Sequence, residues 1–144
     1  MTEHAEVEIV RHFDPVMLPQ SATVMMAARH MHRHHVSAVL VTEGDAKLIG
    51  IFTERDAISR VLAEGKDPAA TTLAEVMTDN PETITPRTTA IELVRLMQVA
   101  HCRHLPIVDG DRIAGLVSIG DVVKACLEET EYENRYLKEY ITAR

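Results

Sequence analysis

Two places in the chain set a hydroxyl three residues before a carboxylate, each directly after a glycine and two apolar residues: Gly50-Ile-Phe-Thr53-Glu-Arg-Asp56 and Gly115-Leu-Val-Ser118-Ile-Gly-Asp121. Ser/Thr-x-x-Asp at a helix start is a capping box, in which the hydroxyl takes an orphan N–H and the carboxylate reaches back to the cap. The same geometry can serve a ligand. A strand-to-helix junction turns free N–H groups and the positive end of the helix dipole toward an anion. A carboxylate also accepts hydrogen bonds from both the 2′ and 3′ hydroxyls of a ribose. Spacing alone leaves both readings open.

Other chemistries have less support. Arg29-His-Met-His-Arg-His-His35 places His30 and His34 at i, i+4, which is metal-ligand spacing. No Glu completes a His-Glu-x-x-His motif, however, and Arg29 and Arg33 repel a cation. The stretch is read first as a basic helix end that is solvated or faces phosphate, with some histidines protonated in mild acid. A His-rich metal-binding protein is the lesser alternative. Cys102 stands between His101 and His104 but aligns with Val36 of an internal repeat, so a buried thiol is expected. No Ser-His-Asp order, paired-carboxylate pocket or phosphate-binding glycine loop is recognisable, so nothing supports catalysis and no cofactor is required.

Composition narrows the partners. The 144 residues are 46% hydrophobic and 26% charged, with 6 Gly and 6 Pro, which fits a compact chain and excludes low-complexity disorder. Fifteen Lys and Arg against 22 Asp and Glu give a net charge of −7, which repels a phosphate backbone, and aromatics at 3% offer no stacking surface for nucleic acid. No apolar run approaches membrane-spanning length and the N-terminus lacks a signal-peptide pattern. With two cysteines and no disulfide framework, the expected location is the cytoplasm.

The elements that must position the motifs come in duplicate. Sliding the sequence by 66 residues brings Asp14-Pro15 onto Asn80-Pro81, Thr23, Arg29 and Met31 onto Thr89, Arg95 and Met97, and His35 onto His101. After a one-residue deletion Gly50 meets Gly115 and Asp56 meets Asp121. The apolar spacing of Val24, Ala27, Ala28 and Met31 recurs in Ala90, Leu93, Val94 and Met97, predicting the same amphipathic helix twice. Each unit reads β-α-β-β-α, an α/β (α+β) class. An extended segment (16–18; 83–85) precedes the helix, and two strands follow it (38–42 and 48–52; 105–108 and 113–117) with Gly-Asp turns between them. A polar linker lies over 66–71, between units 6–65 and 72–130, and the last helix extends through 131–144. Half-size units cannot bury a core alone, so the two are expected to pack sheet to sheet.

Together the segment from Val76 to Pro86, the stretch His101-Cys-Arg-His-Leu-Pro-Ile-Val-Asp-Gly110 and the two Gly-x-x-Ser/Thr-x-x-Asp junctions resemble the cystathionine-β-synthase (CBS) domain family, in its tandem arrangement, a Bateman module. The resemblance implies a regulatory module that binds an adenosine-containing ligand (AMP, ADP, ATP or S-adenosylmethionine) between the repeats and signals to a separate, unknown protein. It implies that Asp56 and Asp121 hold ribose, that Thr53 and Ser118 contact ribose or phosphate, and that Arg55 clamps phosphate. Gly120 stands where Arg55 would repeat, so the sites are unequal. Met17, Ser37 and Ala38 are expected to wall the base in one site, and Thr83, Arg103, His104 and Pro106 in the other, although Leu40 stands at the position of Pro106. A homodimer is expected, since sheet edges need cover and Tyr132, Tyr136 and Tyr140 stripe the terminal helix. The competing reading is a dimerisation scaffold with empty clefts, in which both motifs are only caps.

Overall fold

The computed structural model describes residues 14–142. Its elements are β1 (Met17–Pro19), α1 (Val24–His34), β2 (Ala38–Glu43), β3 (Lys47–Thr53), α2 (Glu54–Asp56) running into a π-helical stretch (Ala57–Leu62), α3 (Leu73–Val76), β4 (Thr78–Asp79), α4 (Ala90–Ala100), β5 (His104–Asp109), β6 (Arg112–Ser118) and α5 (Ile119–Thr142). The first sheet has the order β1-β2-β3-β4, with β1 parallel to β2 and the other pairs antiparallel; the second is the antiparallel pair β5-β6.

Strand alternation assigns the two faces of the first sheet to different cores. Val39, Val41 and Phe52 turn toward α1 and join Val24, Ala27 and Met31. Their neighbours Ala38, Leu40 and Ile51 turn the other way and meet Leu116 of the second sheet, with Leu48 and Ile113 at the margin. Leu105, Ile107 and Val117 pack on Leu93 and Met97 in a third cluster. The sheets therefore meet face to face through the middle cluster. Leu40 is fully buried there, and its truncation to alanine is expected to cost about 2–5 kcal/mol.

The duplication is imperfect in three places. First, the segment 83–85, expected to be extended like 16–18, contributes only one parallel bridge, Ile84 to Ile107. In the first repeat Leu40 donates its N–H to the Val16 carbonyl; Pro106, at the matching position, has no N–H to give, and the pairing shortens. Second, the helix after Thr53 keeps α geometry for one turn and then widens, as the i+5 bonds from Ala63 N to Ile58 O and from Lys66 N to Val61 O show. Third, the segment around the linker is structured. Pro68 and Thr71 carbonyls accept from Met25 and Val24 at the start of α1, taking orphan N–H groups there. Beyond them a Thr72–Glu75 capping box starts α3, whose Leu73 and Val76 enter the first repeat's core, and β4 pairs with β3. Residues 73–79, placed with the second repeat on sequence grounds, thus pack against the first. Residues 6–13 and the side chains of Tyr132, Tyr136 and Tyr140 lie outside what is described.

Candidate functional site

Both Ser/Thr-x-x-Asp motifs form the capping box that their spacing predicts. Thr53 N donates to Asp56 Oδ2 at 2.9 Å, and Asp56 N donates to Thr53 Oγ1 at 3.1 Å. In the second copy Ser118 N and Oγ donate to Asp121 Oδ2 at 2.9 and 2.8 Å, and Asp121 N returns a bond to Ser118 Oγ at 3.2 Å. Capping occupies one carboxylate oxygen in each copy. Asp121 Oδ1 has no hydrogen-bond partner among the described residues, and Asp56 Oδ1 lies 3.7 Å from Arg60 Nε. Arg60 in turn donates to the Val76 and Met77 carbonyls, tying the first motif to the segment before β4.

Fewer N–H groups are free at these junctions than the sequence reading supposed. Glu54 N is taken by the Ser37 carbonyl at 2.9 Å, and its counterpart Ile119 N by the Arg103 carbonyl at 2.8 Å. With Asp56 N and Asp121 N also committed to the caps, Arg55 N and Gly120 N remain as the first-turn donors for an anion.

Two cavities open beside the motifs, and each draws its walls from both repeats. Asp121 and Ser118 face a cavity of about 450 Å³ whose other walls are Asp14, Pro15, Val16, His32, His35, Ser37 and Ala38 of the first repeat. Thr53, Arg55 and Asp56 face one of about 640 Å³ completed by Pro81, Glu82, His101, Cys102, Arg103 and His104 of the second. Each aspartate is therefore joined to the other repeat's strand entrance. Grouping each aspartate with its own repeat's base wall is corrected: Arg103 borders the Asp56 cavity and Ala38 the Asp121 cavity, while Ser37 and His104 border both. The pseudo-twofold packing of the sheets brings the end of β3 beside the start of β5, and the end of β6 beside the start of β2.

Met17, Thr83 and Pro106 line neither cavity. Met17 is 43% exposed and Pro106 is buried within β5. Their neighbours Val16 and Glu82 do line the clefts, a one-residue displacement that reverses facing in an extended segment. His35 and His101, which sequence reasoning passed over as site residues, sit in the left-handed region at φ 55°, each ending its helix, and each borders one cleft. Their coincidence under the 66-residue shift was the available signal.

Electrostatics separate the clefts. Among the described residues the Asp121 cleft is bordered by Asp14, Glu54 and Asp121, with histidines but no Lys or Arg. The Asp56 cleft has Arg55, Arg60 and Arg103 against Glu54, Asp56 and Glu82, and it opens into an outer chamber where these arginines meet His101 and Ser59. Burial lowers the pKa of His104, opposed by Glu54, Asp121 and Asp56 and reinforced by Arg103, so its ring is neutral near pH 7. Burial raises the Cys102 thiol, which suits an inert wall and not a nucleophile. His30 and His34 stack with ring centroids 5.9 Å apart, and among the described residues the buried His30 Nδ1 has no hydrogen-bond partner. Among the described residues no three His, Cys, Asp or Glu groups are placed to hold a metal ion.

Two repeats, each with a helix, a strand hairpin and a second helix, and two clefts walled by both repeats define a tandem-repeat architecture. The CBS domain family model matches residues 6–63 and 73–128, and the chain belongs to that family as a pair of CBS repeats. It is 35% identical over 123 residues to the CBS domain-containing protein CBSX3, mitochondrial, of Arabidopsis thaliana, covering 83% of this chain and 60% of that one. A crystal structure of the CBS-domain containing protein ATU1752 from Agrobacterium tumefaciens superposes with a TM-score of 0.74 at 35% identity, covering 80% and 86% of the two chains. The CBS domain pair of protein MJ0100, solved in complex with 5′-methylthioadenosine and S-adenosyl-L-methionine, is similar at 25% identity, TM-score 0.72, with 80% and 93% covered. No helix among the described residues is long and apolar enough to cross a membrane.

Proposed function

We propose that this chain is a non-catalytic regulatory module that binds adenosine-containing ligands in both clefts and passes occupancy to a separate protein. The supporting observation is that each capping aspartate faces a cavity walled by the opposite repeat, so a ligand held there contacts both halves and favours whichever arrangement of them it fits best. The adenosine class is supported by the neighbour solved with 5′-methylthioadenosine and S-adenosyl-L-methionine. In this reading Asp56 and Asp121 hold ribose. Arg55, with Arg103, takes phosphate in the first cleft, while the acidic Asp121 cleft prefers a nucleoside or a sulfonium compound over a polyphosphate. The module acts in the cytoplasm as a homodimer, which covers exposed Ile58, Leu62, Val99, Val123 and Leu127.

Calorimetric titration with ATP, ADP, AMP, S-adenosylmethionine and adenosine tests the reading, with small molecules released from the purified protein identified by mass spectrometry. Saturable binding of at least one of these compounds is expected. Silence with all five, alongside Asp56→Asn and Asp121→Asn variants that lose only stability, leaves the scaffold reading in its place. Sedimentation at micromolar concentration tests the dimer, and a monomer rejects it.

A further inference from the structure

Ser37, Glu54, His104 and Ser118 border both cavities, forming the partition between them. Within it the Ser37 hydroxyl and His104 Nε2 lie 2.6 Å apart, joining residues 67 positions apart in sequence and belonging to different repeats. Each end of this bond is anchored to one capping motif. The Ser37 carbonyl accepts from Glu54 N, the first residue of the helix that carries Asp56. His104 lies opposite Ser118, the cap of the helix that carries Asp121, in the β5–β6 register. We infer that the Ser37–His104 hydrogen bond couples the two clefts, so that a ligand seated in one changes affinity in the other.

The coupling has a physical two-state element. A neutral imidazole has one nitrogen that donates and one that accepts, and the serine hydroxyl has a single proton, so the bond can run in either direction. Running from serine to histidine, it leaves Nδ1 as a donor and the serine lone pairs open; running the other way, Nδ1 becomes an acceptor and the serine proton is free for another partner. A ligand group that bonds either partner from one cleft fixes the direction and so decides which hydrogen-bonding groups the other cleft presents. Burial favours the neutral ring, which allows both directions, and the charged groups acting on it are Glu54, Asp56, Asp121 and Arg103. Linkage makes the effect reciprocal between the two ligands.

This inference rests on both clefts being adenosine sites, and the experiment separates the two. ATP is titrated into the full chain with and without saturating adenosine, and adenosine with and without saturating ATP. In wild-type protein adenosine is expected to change the ATP Kd by at least about fivefold and then to plateau, with an equal change in the reverse titration. Asp121→Asn is expected to move the effect to roughly ten- to a hundredfold higher adenosine. Ser37→Ala and His104→Phe, which break the bond from opposite ends, are each expected to reduce it below about twofold, whatever they do to either affinity alone. An effect that persists in both bridge variants, or that grows with adenosine without limit and stays at the same adenosine concentrations in Asp121→Asn as simple competition does, overturns the coupling. Two ligands binding wild-type protein with complete indifference to each other also overturns it while leaving the sites standing. Failure of either compound to bind wild-type protein removes the two-site reading, and the coupling with it.

Discussion

Replacing Asp121 by asparagine separates the capping duty of its carboxylate from the ribose-binding duty proposed for it. Capping uses Oδ2, which accepts from Ser118 N at 2.9 Å and from Ser118 Oγ at 2.8 Å. An asparagine oxygen in that place still accepts from the backbone N–H, so the loss of folding stability is expected to be about 0.5–1 kcal/mol. The proposed ribose binding through Oδ1 would respond differently, because the charge is what would strengthen both hydroxyl bonds. Its removal is expected to weaken adenosine by about 1.5–3 kcal/mol, or roughly ten- to a hundredfold. At an adenosine concentration 100 times the wild-type Kd, ligand-induced stabilisation of about 2.7 kcal/mol falls to about 0.4 kcal/mol for a hundredfold weaker variant. Calorimetry gives the affinity and thermal melts with and without adenosine give the stabilisation. The crossed walls add a second signature: with ATP as the only ligand, Asp121→Asn combined with Arg103→Ala is additive, whereas Asp56→Asn and Arg103→Ala couple, since they share one cleft. Unchanged adenosine affinity with a lowered melting temperature refutes the ribose assignment, and coupling of Asp121 with Arg103 refutes the crossing.

Arg55→Ala is expected to weaken ATP at least about tenfold and AMP less than threefold, read by titration, because the guanidinium is assigned to the distal phosphates. The depressed pKa of His104 has a definite sign: the folded chain prefers the neutral ring, so its contribution to stability is complete above the ordinary value of 6.5 and is lost as pH falls from there through the lower folded value. His104→Gln is expected to flatten that part of a stability–pH curve measured by urea denaturation. His101→Gly relieves a non-glycine residue at φ 55° and is expected to raise stability by about 0.5–1 kcal/mol while weakening ATP, since the imidazole borders the arginine chamber; thermal melts paired with titrations show whether both changes occur.

The repeating parts of the molecule were the legible ones. Apolar spacing located both amphipathic helices, and the Gly-Asp pairs located both hairpins, because each signal acts within a few residues of its effect. Both capping boxes were legible for the same reason. What sequence could not convey was which repeat faces which: the partnership of Asp56 with Arg103 depends on how two sheets pack, and no local periodicity encodes it. Pro106 shows a milder failure. It was visible as a departure from Leu40, yet its effect on pairing required knowing that the Leu40 N–H, which the proline lacks, is bonded across the sheet. The short helix at Leu73–Val76 carried a signal in Thr72-x-x-Glu75, but its apolar residues serve the preceding repeat, against the order of the chain.

The crossing of the walls carries a consequence for how such a chain could have arisen. A lone ancestral repeat would own an aspartate and a strand entrance but could never close one upon the other; two identical copies turned about a twofold axis would complete two equal pockets at once. Fusion of such copies into one chain would free the pockets to diverge, because a substitution would no longer have to appear in both. Arg55 against Gly120 and Leu40 against Pro106 are differences that a symmetric pair of separate chains cannot hold.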